Sequence, residues 1–336
     1  MNNKPVVVIP NLNGGQELLA AIRSLQEQSL KPRIIVVDND STDGSAQSAQ
    51  DKFPDIEIIW HSKNMGYAGG VNAGIRKAMQ DNAQWVAVFN DDAIADGDYL
   101  KLLVEFLESN PKYGAVSPKV LKGDSGELDS TGDYVTNWGL PYPRGRGEKD
   151  TGQYDDSLNI FAASGAASLF STKALEEVGL FDEDFFAYYE DVDLGFRLQL
   201  AGWKIGFVPN SHVYHAIGMT SGRMKGFTTY QTLKNQPLVV WKNIPTRYLW
   251  TVGWRFTLAY LLFFGRAISR GHIISAFKGV FMAIVLTIKK VPARQKIQST
   301  KKVSDDYIWY IITHDLPPNA KALRNFRNAW WKISKR

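Results

Sequence analysis

Val6 to Pro10, Arg33 to Val37, Ile56 to Trp60 and Trp85 to Phe89 are short apolar runs rich in strand formers, and a stretch with helical character separates each from the next. Runs of this kind are the signature of strands covered on both faces. Strict alternation with helices leaves few choices beyond right-handed βαβ units and a largely parallel sheet. The spacing predicts helices from the Asn13-Gly14-Gly15 turn to about Gln28, from the Asp38–Ser45 turn to about Gln50, and from Gly74 to Asp81 after a glycine-rich bend at Asn64–Gly74. A further helix begins near Asp98. In open sheets of this Rossmann-like kind ligands bind beyond the carboxyl ends of the strands. The residues that follow each run are therefore the ones to read for function.

After Phe89 comes Asn90-Asp91-Asp92. Adjacent acids at a strand end suit a hard divalent cation that carries phosphate oxygens, and equally suit a turn that caps the next helix. After the second strand, Asp38–Ser45 offers an acid able to accept the imide N–H of uracil or thymine, or a plain helix cap. The three glycines Gly66, Gly69 and Gly70 near the predicted start of a helix suggest close backbone approach to a ligand. Neither a dinucleotide fingerprint nor a GxxxxGK[ST] loop is present, which speaks against hydride transfer and P-loop chemistry.

Beyond the fourth strand the pattern loosens. Asn137–Asp156 reads as a polar loop, and elements resume at Asn159–Phe170, a helix over Thr172–Val178, a helix over Glu190–Ala201, and strands at Lys204–Val208 and His212–His215. Ala216–Gly226, with three glycines, Arg223 and Lys225, reads as a mobile lid. On a helix Glu190, Asp193 and Arg197 share one face, so Asp193 and Arg197 form a natural ion pair. Asp191 projects elsewhere, near the helix N-terminus, where the dipole favours its anion and leaves it free to act as a general base.

In this order and at these intervals, Asp38–Ser45, Asn64–Gly74, Asn90–Asp92 and Glu190–Arg197 resemble the motifs of the family 2 inverting glycosyltransferases of GT-A fold. The paired Gly69-Gly70 is similar to the rhamnosyltransferase-like branch that builds bacterial surface polysaccharides. The resemblance covers roughly residues 4 to 245, counting Phe181-Asp182 before the acid motif and His215 after it. It implies an α/β fold with a mostly parallel central sheet flanked by helices. Asp191 is then the catalytic base, and Asp92 and His215 are the ligands of a divalent metal, Mg2+ or Mn2+. Asn11, Asn13, Asp38, Asn64, Gly66, Asn72, Asp91, Gly165, Arg223 and Lys225 are assigned to the nucleotide and donor sugar. Two departures stand out: Leu12 occupies a position where the family often has an aromatic residue, and Asn90-Asp91-Asp92 is not a literal DXD.

The activity implied is single-displacement transfer, with inversion, of a sugar from a nucleotide diphosphate to a lipid-linked or growing oligosaccharide acceptor, with L-rhamnose from dTDP favoured. A UDP-hexose donor and a non-catalytic sugar-nucleotide-binding subunit are the alternatives. Nucleic acid is not an expected partner.

The last third differs in composition. Leu249–Gly265 and Ile273–Ile288 are rich in Trp, Phe, Leu and Ile, but Arg255 and Lys278 interrupt them, so neither offers the ~18 apolar residues of a spanning helix. From Lys289 onward twelve Lys and Arg face only Asp305, Asp306 and Asp315. Helices lying on an anionic membrane surface are expected, with a packed bundle or a homo-oligomer interface as the alternative. Ser304–Thr313 and Ala320–Ile333, with Trp309, Trp330 and Trp331, would add anchors. The expected division is a catalytic domain over residues 1–235 and a helical region over 236–336. With no cysteine, disulfides and thiolate chemistry are excluded. MNNKP runs straight into the first strand, so the expectation is a cytoplasmic chain without signal peptide, peripheral on the inner face of the plasma membrane.

Overall fold

The computed structural model describes residues 4–216, 224–318, 320–321, 323–325 and 327–328. The chain divides into two compact units, Met1–Asp133 with Pro143–Lys225, and Tyr134–Tyr142 with Gly226–Arg336.

In the first unit β1 (Val6–Asn11), α1 (Gly15–Gln26), β2 (Arg33–Asp38), α2 (Ser45–Lys52), β3 (Glu57–Trp60), α3 (Gly66–Gln80) and β4 (Trp85–Phe89) alternate in chain order. β1 pairs in parallel with β2 and β4, and β2 with β3. Every residue of β1 and β4 is buried, which is why these runs show no polar alternation. α1 turns Leu18, Leu19, Ile22 and Leu25 into the core that also holds Val7 and Ile9. The β1–β2 register sets Asn11 opposite Asp38, so both side chains arrive together at the carboxyl end of the sheet.

The chain continues through β5 (Ala93–Ala95), α4 (Tyr99–Ser109), β6 (Tyr113–Lys122), β7 (Leu128–Ser130), β8 (Asp133–Val135), β9 (Pro141–Pro143), β10 (Asn159–Ile160), β11 (Ala167–Ser171), α5 (Thr172–Val178), α6 (Glu190–Leu200) and β12 (Lys204–His215). Across the main sheet the order is β10-β12-β6-β11-β4-β1-β2-β3. β11 runs antiparallel to both β4 and β6, while β6 and β12 are parallel. The sheet is thus parallel from β3 to β4 and mixed beyond. The two strands expected at Lys204–Val208 and His212–His215 are one strand, with a register shift between Val208 and His212. The Asn137–Asp156 segment is less loop-like than its composition suggests: all four residues from Asn137 to Leu140 are buried, and the segment supplies β9.

The glycine-rich bend is also corrected, because it is helical from Gly66 onward. Its glycines lie close to protein atoms. A Cβ at Gly74 would sit 2.3 Å from Val8 Cγ1, one at Gly70 2.6 Å from Asn39 Nδ2, and one at Gly66 2.5 Å from the Phe186 carbonyl. Those missing side chains let α3 lie against β1 and β2.

The second unit is built of α7 (Phe227–Asn243), α8 (Thr246–Ser269), α9 (Ile273–Lys289), α10 (Val291–Thr300) and α11 (Asp305–Ile311). α7 packs on α9, and the Arg294 guanidinium donates to the Ile244 carbonyl at 2.9 Å and to Thr246 Oγ1 at 3.0 Å, closing the α7–α8 corner. Tyr134–Tyr142 joins this unit through Asn137 N–H to the Thr313 carbonyl and Thr313 N–H to the Val135 carbonyl, each at 2.8 Å. Among the described residues no helix is long and apolar enough to cross a membrane. Trp330 and Trp331 lie outside the described residues.

Candidate active site

Three strand ends of the parallel half carry polar side chains, and the first node forms between β1 and β2. Asn11 Nδ2 donates to Asp38 Oδ1 at 2.8 Å and lies 3.0 Å from Ser41 Oγ, while Ser41 N–H donates to Asp38 Oδ2 at 3.1 Å. Asn11 and Asp38 are both buried. Beside them Asn13 and Asp40 hold φ of 55° and 66°, and Asn13 Oδ1 accepts from Thr42 N–H at 2.8 Å. Left-handed non-glycine backbone of this sort collects at functional turns.

The second node lies past β4. Asp91 Oδ2 faces Leu12 N–H at 3.4 Å. Burial, and then the neighbouring charge of Asp92, push the Asp91 carboxyl up to about 7. Asp92 Oδ1 is 3.0 Å from His215 Nε2, and His215 Nδ1 is 2.9 Å from Asp129 Oδ2. Burial alone would lower the imidazole, but its bonds to Asp129 and Asp92 outweigh that and raise it to about 9. Asp129, itself buried, has Arg146 Nη2 2.8 Å from its Oδ1, off line for a hydrogen bond, and its carbonyl accepts from Arg146 Nε at 3.2 Å. A chain Asp92–His215–Asp129–Arg146 results. Among the described residues no group of three or more His, Asp or Glu side chains forms a metal cage; Asp92 and His215 offer two donors.

The third node is Asp191, at the first turn of α6. Its Oδ1 accepts from Val192 N–H at 2.8 Å and its Oδ2 from Gly165 N–H at 3.2 Å. A Cβ on Gly165 would come within 2.9 Å of that Oδ2, and Tyr67 Oη fixes Gly165 from the other side by donating to its carbonyl at 2.5 Å. The helix dipole argues for a stabilised anion, yet burial wins and pushes the Asp191 carboxyl up against those two N–H bonds. Asp133 is pushed up beside it, by burial and then by the charge of Asp191, and Arg146 offsets both in part. The approach to Asp191 is bent, with φ of 65° at Phe186, 70° at Tyr188 and 72° at Tyr189. Arg197 takes the structural role expected of it. It bonds Asp193 at 2.9 Å and the carbonyls of Val178 and Gly179 at 2.8 Å.

The structure therefore brings Asn11, Asn13 and Asp38 together, Asp91 with Asp92 and His215, and Gly165 with Asp191. Others assigned to the donor are engaged elsewhere. Asn64 Oδ1 accepts from Gly66 N–H at 2.8 Å. Asn72 gives its amide protons to the Phe181 carbonyl and to Glu183 Oε1, at 2.8 and 2.9 Å, and accepts from Phe181 N–H at 3.0 Å. Asn72 is a clamp between α3 and the 181–183 segment, because both its amide protons are spent there. Lys225 is exposed and pairs with none of these carboxylates, while Arg223 and most of the expected lid lie outside the described residues. Asp129, Asp133 and Arg146 were not read from the sequence. Asp129 lies on the three-residue strand β7, Asp133 opens the three-residue strand β8 and Arg146 sits in a turn. Elements this short show no helix or strand period, and closely spaced acids around Gly132 are the only signal they leave.

A family model described as Glycosyl transferase family 2 matches residues 6–179. The chain is 30% identical over 241 residues to the N-acetylglucosaminyl-diphospho-decaprenol L-rhamnosyltransferase of Mycobacterium tuberculosis, an alignment that covers 65% of this chain and 78% of the relative. It is 26% identical over 255 residues to the dTDP-rhamnosyl transferase RfbF of Shigella flexneri, covering 72% of this chain and 82% of the relative. Among solved structures, the mannosyltransferase PcManGT of Pyrobaculum calidifontis, in complex with GDP-Man and Mn2+, superposes with a TM-score of 0.53 at 17% identity, over 91% of this chain and 85% of that one. GalNAc-T7 with UDP, GalNAc and Mn2+ gives 0.58 at 17% identity, over 73% of this chain and 48% of that one. These likenesses show a GT-A fold.

Proposed function

The chain belongs to glycosyl transferase family 2, and on that premise we propose that it moves L-rhamnose, with inversion, from a dTDP-linked donor to a hydroxyl of a lipid-linked or growing surface glycan. The observation that carries the reading is the separation of two acidic stations. One, Asp92 with His215, lies at the carboxyl end of the parallel strands, and the other, Asp191, stands at the start of α6. Rhamnosyl transfer is the activity for which two of the relatives are named.

Transfer requires charge neutralised on a departing diphosphate and a proton removed from the incoming hydroxyl. At the first station the residues fit a divalent cation, Mg2+ or Mn2+. His215 turns one ring nitrogen toward Asp92 and gives the other to the Asp129 carboxylate, and a carboxylate on the far nitrogen is what orients a metal-bound histidine. Two protein donors suit an ion whose remaining ligands are diphosphate oxygens and water. When bound, such an ion supplies positive charge to the leaving group. Asp38 keeps lone pairs beyond those held by Asn11 and Ser41, enough to accept the imide N–H of the donor base. At the second station Asp191 takes the acceptor's hydroxyl proton. The acceptor oxygen bonds to the anomeric carbon as the bond from that carbon to the diphosphate breaks, and the electron pair leaves with the diphosphate.

Because burial raises Asp191, the base holds its proton to a higher pH than an ordinary carboxyl. Turnover is expected to fall as pH drops through that raised value, earlier than a solvent-exposed carboxylate would dictate. We place the enzyme in the cytoplasm, peripheral on the inner face of the plasma membrane, where a lipid-carried acceptor is met. A UDP-hexose donor is the second reading, favoured by the imide N–H that uracil shares with thymine at Asp38.

Release of nucleoside diphosphate from a panel of dTDP-, UDP- and GDP-sugars, with and without Mg2+ or Mn2+, tests the proposal. The expected result is metal-dependent turnover with dTDP-rhamnose foremost. Turnover with a UDP-hexose alone would shift the donor assignment, and none with any donor would leave a sugar-nucleotide-binding subunit.

A further inference from the structure

In α9 the sorting of side chains is reversed. The small residues Ala276, Gly279 and Ala283 face inward, and Gly279 comes so close to α7 that a Cβ there would lie 2.8 Å from the Tyr230 carbonyl. Leu286 is the large side chain that joins them, while other large apolar side chains point away: Ile274 is 71% exposed, Phe277 59%, Phe281 64% and Ile288 69%. Steps of three, four and seven residues put these four on one stripe of the helix. Phe277 meets Phe264 of α8 edge to face at 5.2 Å between centroids, and α8 adds Trp250, 82% exposed. Monomeric proteins rarely leave contiguous apolar surface of this kind uncovered.

Charge says what covers it. Between Gly226 and Ser304 there are thirteen Lys and Arg and no Asp or Glu. Lys278 and Lys289 are both exposed, and helical geometry puts both along the same border of the stripe. Lys234, Lys242 and Arg294 are buried and Arg247 pairs with Asp306, but the border of the stripe itself carries cations. A second copy of the chain would have to press these against their own kind, whereas anionic phospholipid meets the stripe with acyl chains and the cations with phosphate. At 1.5 Å per residue α9 is about 25 Å long, and no described helix can cross a bilayer. The geometry of an amphipathic helix lying in the interfacial plane is what remains.

We propose that α8 and α9 form a docking face for an anionic phospholipid surface, with Ile274, Phe277, Phe281 and Ile288 entering the headgroup–acyl boundary and Lys278 and Lys289 at the lipid phosphates. The proposal deepens the reading that the acceptor is carried on a lipid, and rests on it for its purpose only, since lipid binding involves no sugar chemistry.

The test is sedimentation of the full chain with vesicles of phosphatidylcholine alone or mixed with phosphatidylglycerol. The intact chain is expected to bind the mixed vesicles, less so in high salt. Phe277→Ser, Phe281→Ser and Ile288→Ser combined should weaken binding at least tenfold with an unchanged circular dichroism spectrum and melting curve. Lys278→Glu with Lys289→Glu should weaken it more than tenfold on phosphatidylglycerol, at about fivefold for each cation lost. Failure of the intact chain to bind anionic vesicles at low salt, or binding that the triple variant leaves intact, overturns the proposal. So does a stable dimer that the triple variant dissolves. Donor turnover by the same preparation without vesicles distinguishes failure of this face from failure of the transfer reaction.

Discussion

β1 and α9 are both apolar, yet they dispose of their side chains in opposite ways. β1 buries all six residues between layers of its own unit, whereas α9 buries mostly small residues, with Leu286, and turns Phe277, Phe281 and Ile288 outward. Apolar composition says that a surface leaves water, but not where it goes. For β1 the partner is the rest of the chain, and the return is folding stability. For α9 the partner is elsewhere, and little folding stability should depend on its outer face.

That contrast can be broken by measurement. The largest effect is expected at Ile9, wholly buried in β1, where Ile9→Ala should cost about 2–5 kcal/mol through lost transfer energy and a residual cavity. Chemical denaturation reads this directly, and a cost near zero would mean that the β1 core is not packed as described. An intermediate effect is expected at the site that β1 helps to frame. Asp129→Asn removes the carboxylate that orients His215, and should lower Mn2+ affinity about 10- to 100-fold, as measured by electron paramagnetic resonance titration with the melting temperature unchanged. The smallest belongs to α9: Phe281→Ser alone should alter folding stability by no more than about 0.5 kcal/mol. A loss comparable to that at Ile9 would show that α9 is a core helix and erase the distinction.

Much of the first unit was legible in the sequence. Val6–Pro10 and Trp85–Phe89 are buried on both faces, so their composition alone marked them as strands, and the acids past β2 and β4 followed from the position of strand ends. The glycines of Asn64–Gly74 were legible as close contacts but not as contacts with what. A missing Cβ signals proximity alone, and at Gly74 and Gly70 the neighbours are Val8 and Asn39. Asp129, Asp133 and Arg146 were illegible for a different reason. Their places beside His215 and Asp191 come from the way the three-residue strands β7 and β8 and the turn that carries Arg146 are set against the rest of the unit, and elements this short leave no local period to record it. The rise of Asp191 was also missed, because the helix dipole is visible in a sequence and burial is not.

The central claim is a division of labour in which the diphosphate is held near Asp92 and His215 while the proton is taken at Asp191. Asp191→Asn, assayed side by side for donor binding by calorimetry and for turnover, tests it most directly. The account predicts donor affinity within about threefold of the unaltered enzyme and turnover reduced about 10²- to 10⁴-fold. Near-normal turnover with intact donor binding would contradict it.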